Sequence, residues 1–266
     1  MSIKTTLYRS LPEPVKPFAK QMYQKLANQT AYNELHSEFV DHFFESESEY
    51  LTYVDEFNEG PAVELRNEAF EKYQQLTGKD GLSGIGLDAS RDYYAVTRKM
   101  SPQTVIETGV CNGVSTLSIL LALRENEKGT LYSIDYPLRA DESLEEFRQE
   151  TFEGYGGAAI PSDKQPGWII PSELRTQWDL TLGKSQRELP RLVTELNTVE
   201  LFIHDSEHSH PCMMFEYELA YEWLEKEGVI LSDDITWNDA FSVFCDVREP
   251  AFGRMSRNIG YISKIE

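Results

Sequence analysis

Apolar positions in the first part of the chain fall at helical spacing. Val15, Phe18, Ala19, Met22 and Leu26 recur every three or four residues with lysines on the other faces, which predicts an amphipathic packing helix. From Glu34 to about Thr77 the spacing stays helical and rich in Phe and Tyr, and the glycine-rich "GKDGLSGIG" then interrupts it. Beyond that loop "DASRDYYAVTRKM" opens as a helix, and Pro102 leads into "TVIET", a β-branched run suited to a strand buried on both faces. Strand and helix patterns then alternate. Strands are predicted at Thr104–Thr108, Thr130–Ile134, Leu180–Leu182, Glu200–His204 and Gly228–Ser232, with a last one in "NIGYISKI". Helices are predicted at Thr116–Arg124, Ser185–Leu196 and Pro211–Glu227. The alternation is that of an α/β, doubly wound sheet. The expected division is an N-terminal helical extension over 1–83 and a sheet domain over 84–266.

The segment from Tyr136 to Trp178 interrupts this rhythm. It is too long and too rich in Gly and Pro for a simple crossover, yet it carries Trp168, Ile169, Ile170 and Trp178, which a solvated loop has nothing to pack against. An ordered lid or substrate wall is expected.

Charge narrows the partners. The 266 residues carry a formal charge of −20, which opposes binding to nucleic acid or to an anionic membrane. The same excess fits either an ordinary acidic enzyme or a salt-adapted surface. The basic residues Lys4, Arg9, Lys16, Lys20 and Lys25 precede an acidic stretch from Ala31 to Phe70 in which only Arg66 is basic. Docking of one segment on the other is expected, and peripheral membrane contact and a homo-oligomer stay open. Cys111, Cys212 and Cys245 form no CxxC pair, no basic-then-apolar leader opens the chain, and no apolar run is long enough for a span, so a cytoplasmic protein without a transmembrane segment is expected.

Two places carry candidate chemistry. In "VIETGVCNGVSTLSILLALRENEKGTLYSID", Gly109 and Gly113 permit a tight turn, and the helix beginning near Ser115 aims its amide groups at the same spot. The spacing is ExGxxxG. With acidic Glu107 placed in the turn, it suits a cationic, phosphate-free nucleotide such as S-adenosylmethionine better than a dinucleotide. Asp135, at the tip of the next strand, is placed to accept hydrogen bonds from a ribose. In "FIHDSEHSH", Asp205 ends one strand, and Asp233 and Asp234 end its neighbour. Three converging acids call for a cation, and an all-oxygen set suits Mg2+ or Mn2+. Alternation turns His204 to the opposite side from Asp205, for packing. A zinc site from His204, His208 and Cys212 is the weaker alternative, because it leaves the acidic pair without a role.

Residues 84–262 resemble the class I S-adenosylmethionine-dependent methyltransferases, whose sheet is Rossmann-like, and most closely the metal-dependent, macrocin-like sugar O-methyltransferases. The resemblance implies that Gly183 and Ser185 of "LTLGKSQRELPRL" lie near the adenine. It also implies that the DxxH segment supplies Asp205, beside the cofactor, as a metal ligand and His208 as the catalytic base, and that Asp233 and Asp234 complete the metal set. The implied function is metal-assisted O-methylation of a small-molecule or glycan acceptor such as a vicinal diol. A metal-independent methyltransferase and a non-catalytic nucleotide-binding module are the alternatives.

Overall fold

The computed structural model describes residues 35–77, 87–149, 151 and 159–265. The expected helix around Val15–Leu26 and the "GKDGLSGIG" loop lie outside the described residues. The first described elements are helices α1 (35–43), α2 (Glu47–Glu59), α3 (Val63–Thr77) and α4 (Leu87–Met100). Ser46 caps α2 by accepting from the Glu49 amide, as a short hydroxyl does best at a helix start. Their aromatic faces are not a separate layer. Phe39, Tyr50, Phe57 and Tyr73 share one buried apolar cluster with Val105 and Leu117 of the sheet unit.

The sheet has seven strands: β1 (Thr104–Thr108), β2 (Thr130–Asp135), β5 (Trp178–Leu182), β6 (Val199–His204), β7 (Leu224–Ser232), β8 (Ala251–Arg254) and β9 (Gly260–Ser263). Their order is β5-β2-β1-β6-β7-β9-β8, parallel except that β9 runs antiparallel to both β7 and β8. Thr108 of β1 sits opposite Ile134 on one side and His204 on the other, so the ends of three strands come level at one edge. Helices α5 (Val114–Glu125), α7 (Ser185–Leu196), α8 (His210–Trp223) and α9 (Ala240–Arg248) cover the sheet. α5 is apolar all round and is buried from Val114 to Leu123, which is the reason "LSILLAL" reads so hydrophobic.

Between β2 and β5, β3 (Leu138–Arg139) and β4 (Ala159–Ile160) form a second, two-stranded sheet, with helix α6 (Leu144–Gln149) and a 3-10 turn (Ser172–Gln177). Ile169 and Ile170 are buried, as expected of an ordered wall.

The elements depart from the periodicity in places. α8 ends at Trp223 rather than near Glu227, because Leu224 turns to extended backbone and pairs with Val199. β8 was not anticipated. Among the described residues no helix is long and apolar enough to cross a membrane.

Candidate active site

The glycine turn follows directly from β1. Gly109 and Gly113 take φ of +86° and +98°, where a side chain is strained. A Cβ on Gly109 would overlap the Asp205 carbonyl group, and one on Gly113 would come 2.8 Å from the Gly167 Cα. The turn is therefore pressed against both the acidic loop and the insertion. Cys111 holds φ +48° without being glycine, and its amide donates to an Asp135 carboxylate oxygen at 2.9 Å.

Glu107 lies in β1, not in the turn where sequence spacing put it. It is fully buried, and it accepts hydrogen bonds from the hydroxyls of Ser115 (2.7 Å), Thr116 (2.8 Å) and Ser133 (2.8 Å). Burial pushes its pKa up to about 7, against the three hydroxyls that favour the charged form. Glu107 and Ser115 thus fasten the base of the turn to β2 and α5. Asp135, also nearly buried, is pushed up to about 6 by desolvation, opposed by the amides of Cys111, Val110 and Tyr136.

Past the end of β2, a cavity of about 650 Å³ is lined by Tyr136, Pro137, Glu142, Phe147, Leu182 and Gly183. The Gly183 amide donates to the Asp135 carbonyl at 2.9 Å, which fixes the two strand ends side by side. The Ser185 hydroxyl turns elsewhere, 3.9 Å from the Cys212 sulfur.

The second half of the site is built on β6 and β7. The Asp205 amide donates to Thr108, and the Asp233 amide to His204, so both acidic loops peel off the sheet at one level. His208 Nε2 lies 3.7 Å from Asp205 Oδ1 and 3.8 Å from Asp234 Oδ2. Burial raises the pKa of both Asp205 and Asp233, and for Asp205 the neighbouring Asp233, Glu107 and Asp234 add to it. Burial and Asp233 lift Asp234 to about 6. Among the described residues none of these three carboxylates is paired with Lys or Arg. Nor, among the described residues, do three His, Cys, Asp or Glu side chains form a ready-made metal cage. Asp205 and Asp234 both come to His208, and burial raises the pKa of all three acids. Asp234 also holds φ +50°, a strain that persists only where the surroundings impose it.

His208 is more perturbed than a base near neutrality. Burial, with the neighbouring His204 as the lesser cause, lowers its pKa to about 3, so the ring is neutral at physiological pH. Its Nδ1 is buried with no partner among the described residues, and its ring lies between His204 (5.3 Å, 85°) and the half-exposed Trp237 (5.4 Å). The helix behind it starts without its help, because Ser209 is the cap, accepting from the Cys212 amide.

His204 does point toward α8, where its Nδ1 pairs with Glu216 at 2.7 Å, both side chains being fully inaccessible. Thr108 and Ser206 add hydroxyl bonds to the same carboxylate. This engaged carboxylate also takes Cys212 as a neighbour (3.6 Å), so two of the three zinc candidates, His204 and Cys212, are already held by Glu216. Glu216 was not singled out from sequence. Asn238 bonds to the His208 carbonyl and to the Ala240 amide, tying the His208 loop to the start of α9.

Residues 106–235, which hold both halves of the site, match the family model described as a methyltransferase domain. No curated protein matches the chain. An O-methyltransferase from Bacillus cereus, solved in complex with SAH, is similar in structure with TM-score 0.52 and 11% identity, over 82% of this chain and 100% of that one. The O-methyltransferase NovP gives 0.48 and 14%, over 68% and 81%. A putative O-methyltransferase from Klebsiella pneumoniae gives 0.49 and 11%, over 90% and 99%. The Bacillus cereus likeness establishes the shared Rossmann-like fold, and the match to the methyltransferase-domain model over residues 106–235 supports an enzyme of that kind.

Proposed function

We propose that the protein is an S-adenosylmethionine-dependent O-methyltransferase, assisted by Mg2+ or Mn2+, acting on a hydroxyl of a sugar, a glycan or a similar vicinal diol. The observation that carries this reading is the meeting of Asp205, His208 and Asp234 at the strand ends, directly against Gly109.

The cofactor fits what is present. Gly109 and Gly113 remove side chains where the backbone must lie close, and the cavity beside Asp135 and Gly183 has room for a nucleoside. Bound there, S-adenosylmethionine supplies an activated methyl group on a sulfonium. Asp135 accepts from the ribose hydroxyls while its amide partners hold it in place, and Glu107 with Ser115 keeps the turn rigid beneath.

The donor set suits a hard divalent ion. Burial raises the pKa of three carboxylates that have no Lys or Arg partner among the described residues, and a bound cation would offset that cost. Held by Asp205, Asp233 and Asp234, such an ion supplies Lewis acidity toward an acceptor oxygen. His208 receives the hydroxyl proton at Nε2, the ring nitrogen that faces the acids, and its buried setting keeps that nitrogen free of a proton beforehand.

The test follows SAH release from a panel of uronic acids, deoxysugars and catechols, with and without EDTA. Turnover that EDTA abolishes and Mn2+ restores supports the reading. Turnover indifferent to EDTA establishes a metal-independent enzyme instead, and cofactor binding with no turnover on any acceptor favours a binding module.

A further inference from the structure

Trp237 lies in the loop after β7 that also carries Asp233 and Asp234, and 55% of its surface is open to solvent. A single exposed aromatic needs no explanation by itself. This one is held out of the core by a backbone tied down on both sides. Its amide donates to the Asp234 carbonyl at 3.0 Å, and the Ile235 amide donates to the Asn258 carbonyl at 2.9 Å. The Thr236 hydroxyl donates to the Asn258 side chain at 3.2 Å. On the other side Asn238 donates to the His208 carbonyl and accepts from the Ala240 amide, both at 2.9 Å. The turn also requires Asp234 at φ +50°, a conformation that persists only where the surroundings impose it.

The place where the indole is held is specific. Its centroid lies 5.4 Å from that of His208, with the two planes inclined at 55°. His208 Nε2 in turn lies 3.7 Å from Asp205 and 3.8 Å from Asp234. A hydroxyl that reaches this nitrogen brings the rest of its molecule alongside the indole. That molecule then meets carboxylates and an imidazole on one side and an open aromatic face on the other.

We propose that Trp237 is the platform for the methyl acceptor, taking the C–H face of a sugar ring while the ring's hydroxyls turn to His208 and the acids. The inference rests on the O-methyltransferase reading above and narrows its acceptor to a cyclic sugar. A pyranose carries hydroxyls around its edge and axial C–H groups on its face, and polarised C–H groups are attracted to the electron-rich face of an indole. An open-chain polyol offers the same hydroxyls without such a face.

The test measures SAH release from methyl pyranosides of deoxyhexoses by wild type, Trp237→Phe and Trp237→Leu, with SAH calorimetry and melting temperature recorded on the same preparations. Leucine keeps an apolar side chain but removes the aromatic face. The expected result is a KM raised about 5- to 20-fold in Trp237→Leu and less than about 4-fold in Trp237→Phe, with kcat within about 3-fold of wild type and SAH affinity unchanged. A loss confined to kcat would mean that Trp237 only supports His208, and it overturns the proposal. So do equal rises of KM in the two variants, or no rise in either. Wild-type turnover confined to catechols, or absent on every pyranoside, overturns the sugar reading and this inference with it, while SAH binding in the same preparation leaves the cofactor assignment standing.

Discussion

Gly109 lies directly under Asp205: a Cβ there would overlap the Asp205 carbonyl group and come 2.8 Å from the Ser206 nitrogen. The turn offered to the cofactor and the loop that carries the acids are thus in van der Waals contact through backbone alone. Gly109→Ala adds both this clash and a strained φ of +86°, and is expected to cost about 3 kcal/mol of stability and to weaken cofactor binding at the same time. Urea unfolding and calorimetry on one preparation check it. Wild-type values in both would mean that the contact is slack.

Asp205 and His208 are neighbours in space with separate expected roles. Asp205→Asn should raise the Mn2+ concentration needed for half-maximal methyl transfer. His208→Ala should leave cofactor and metal affinity nearly unchanged and lower kcat by roughly 10² to 10⁴. A metal titration of turnover for both variants separates them, and full turnover in His208→Ala would remove it from the chemistry.

Glu107 gives a pH dependence of definite sign. Its pKa, about 7 in the fold, stands above the ordinary 4.5, so the native state holds the proton more tightly than the unfolded chain does. Native stability therefore falls as pH climbs from about 4.5 to about 7, and the penalty is full above that range. Its size is on the order of 3 kcal/mol at about 1.4 kcal/mol per unit. Glu107→Gln should lose this slope, so the stability difference between variant and wild type should move in the variant's favour between pH 5 and pH 8. Parallel denaturation curves across that range would contradict it.

The buried pair His204–Glu216 should be costly to break from one side. Glu216→Ala strands the His204 imidazole and two hydroxyls in the interior, at roughly 3 to 5 kcal/mol. Chemical denaturation measures it, and a loss below about 1 kcal/mol would show that water or repacking replaces the carboxylate.

Asp135→Ala is expected to weaken binding of S-adenosylmethionine and of SAH alike by about 1 to 3 kcal/mol, because the ribose is common to both.

Much of the sheet is legible because its parallel strands are short β-branched runs between helices of clear period. "TVIET" and "LFIH" are buried on both faces and have no other way to satisfy that pattern. The end of α8 is not legible: "EYELAYEWLEKE" keeps its helical period, and only the distant pairing of Leu224 with Val199 turns it into strand. β8 hides for the opposite reason. It is an edge strand with Phe252 exposed, and it is visible only once Gly253 is seen beneath the Tyr261 ring. Of the site, the level of the acids at the strand ends could be read from alternation. The burial that makes Glu107 a structural clamp and drives His208 down to about 3 could not, because it depends on how neighbouring elements close over these side chains.

The insertion between β2 and β5 is fastened to the glycine turn at three points. The Gly167 amide donates to the Cys111 carbonyl at 2.9 Å, the Trp168 indole donates to Asn112 at 2.8 Å, and Gly113 leaves no space above it for a side chain. The turn and the insertion therefore share one equilibrium. A molecule that prefers one seating of the insertion alters the affinity of the turn for its own ligand, and that ligand alters the affinity for the first molecule by the same factor. Communication between two halves of a site ordinarily calls for a moving domain; here one glycine-to-cysteine hydrogen bond and one indole supply the direct contact through which any such coupling would pass.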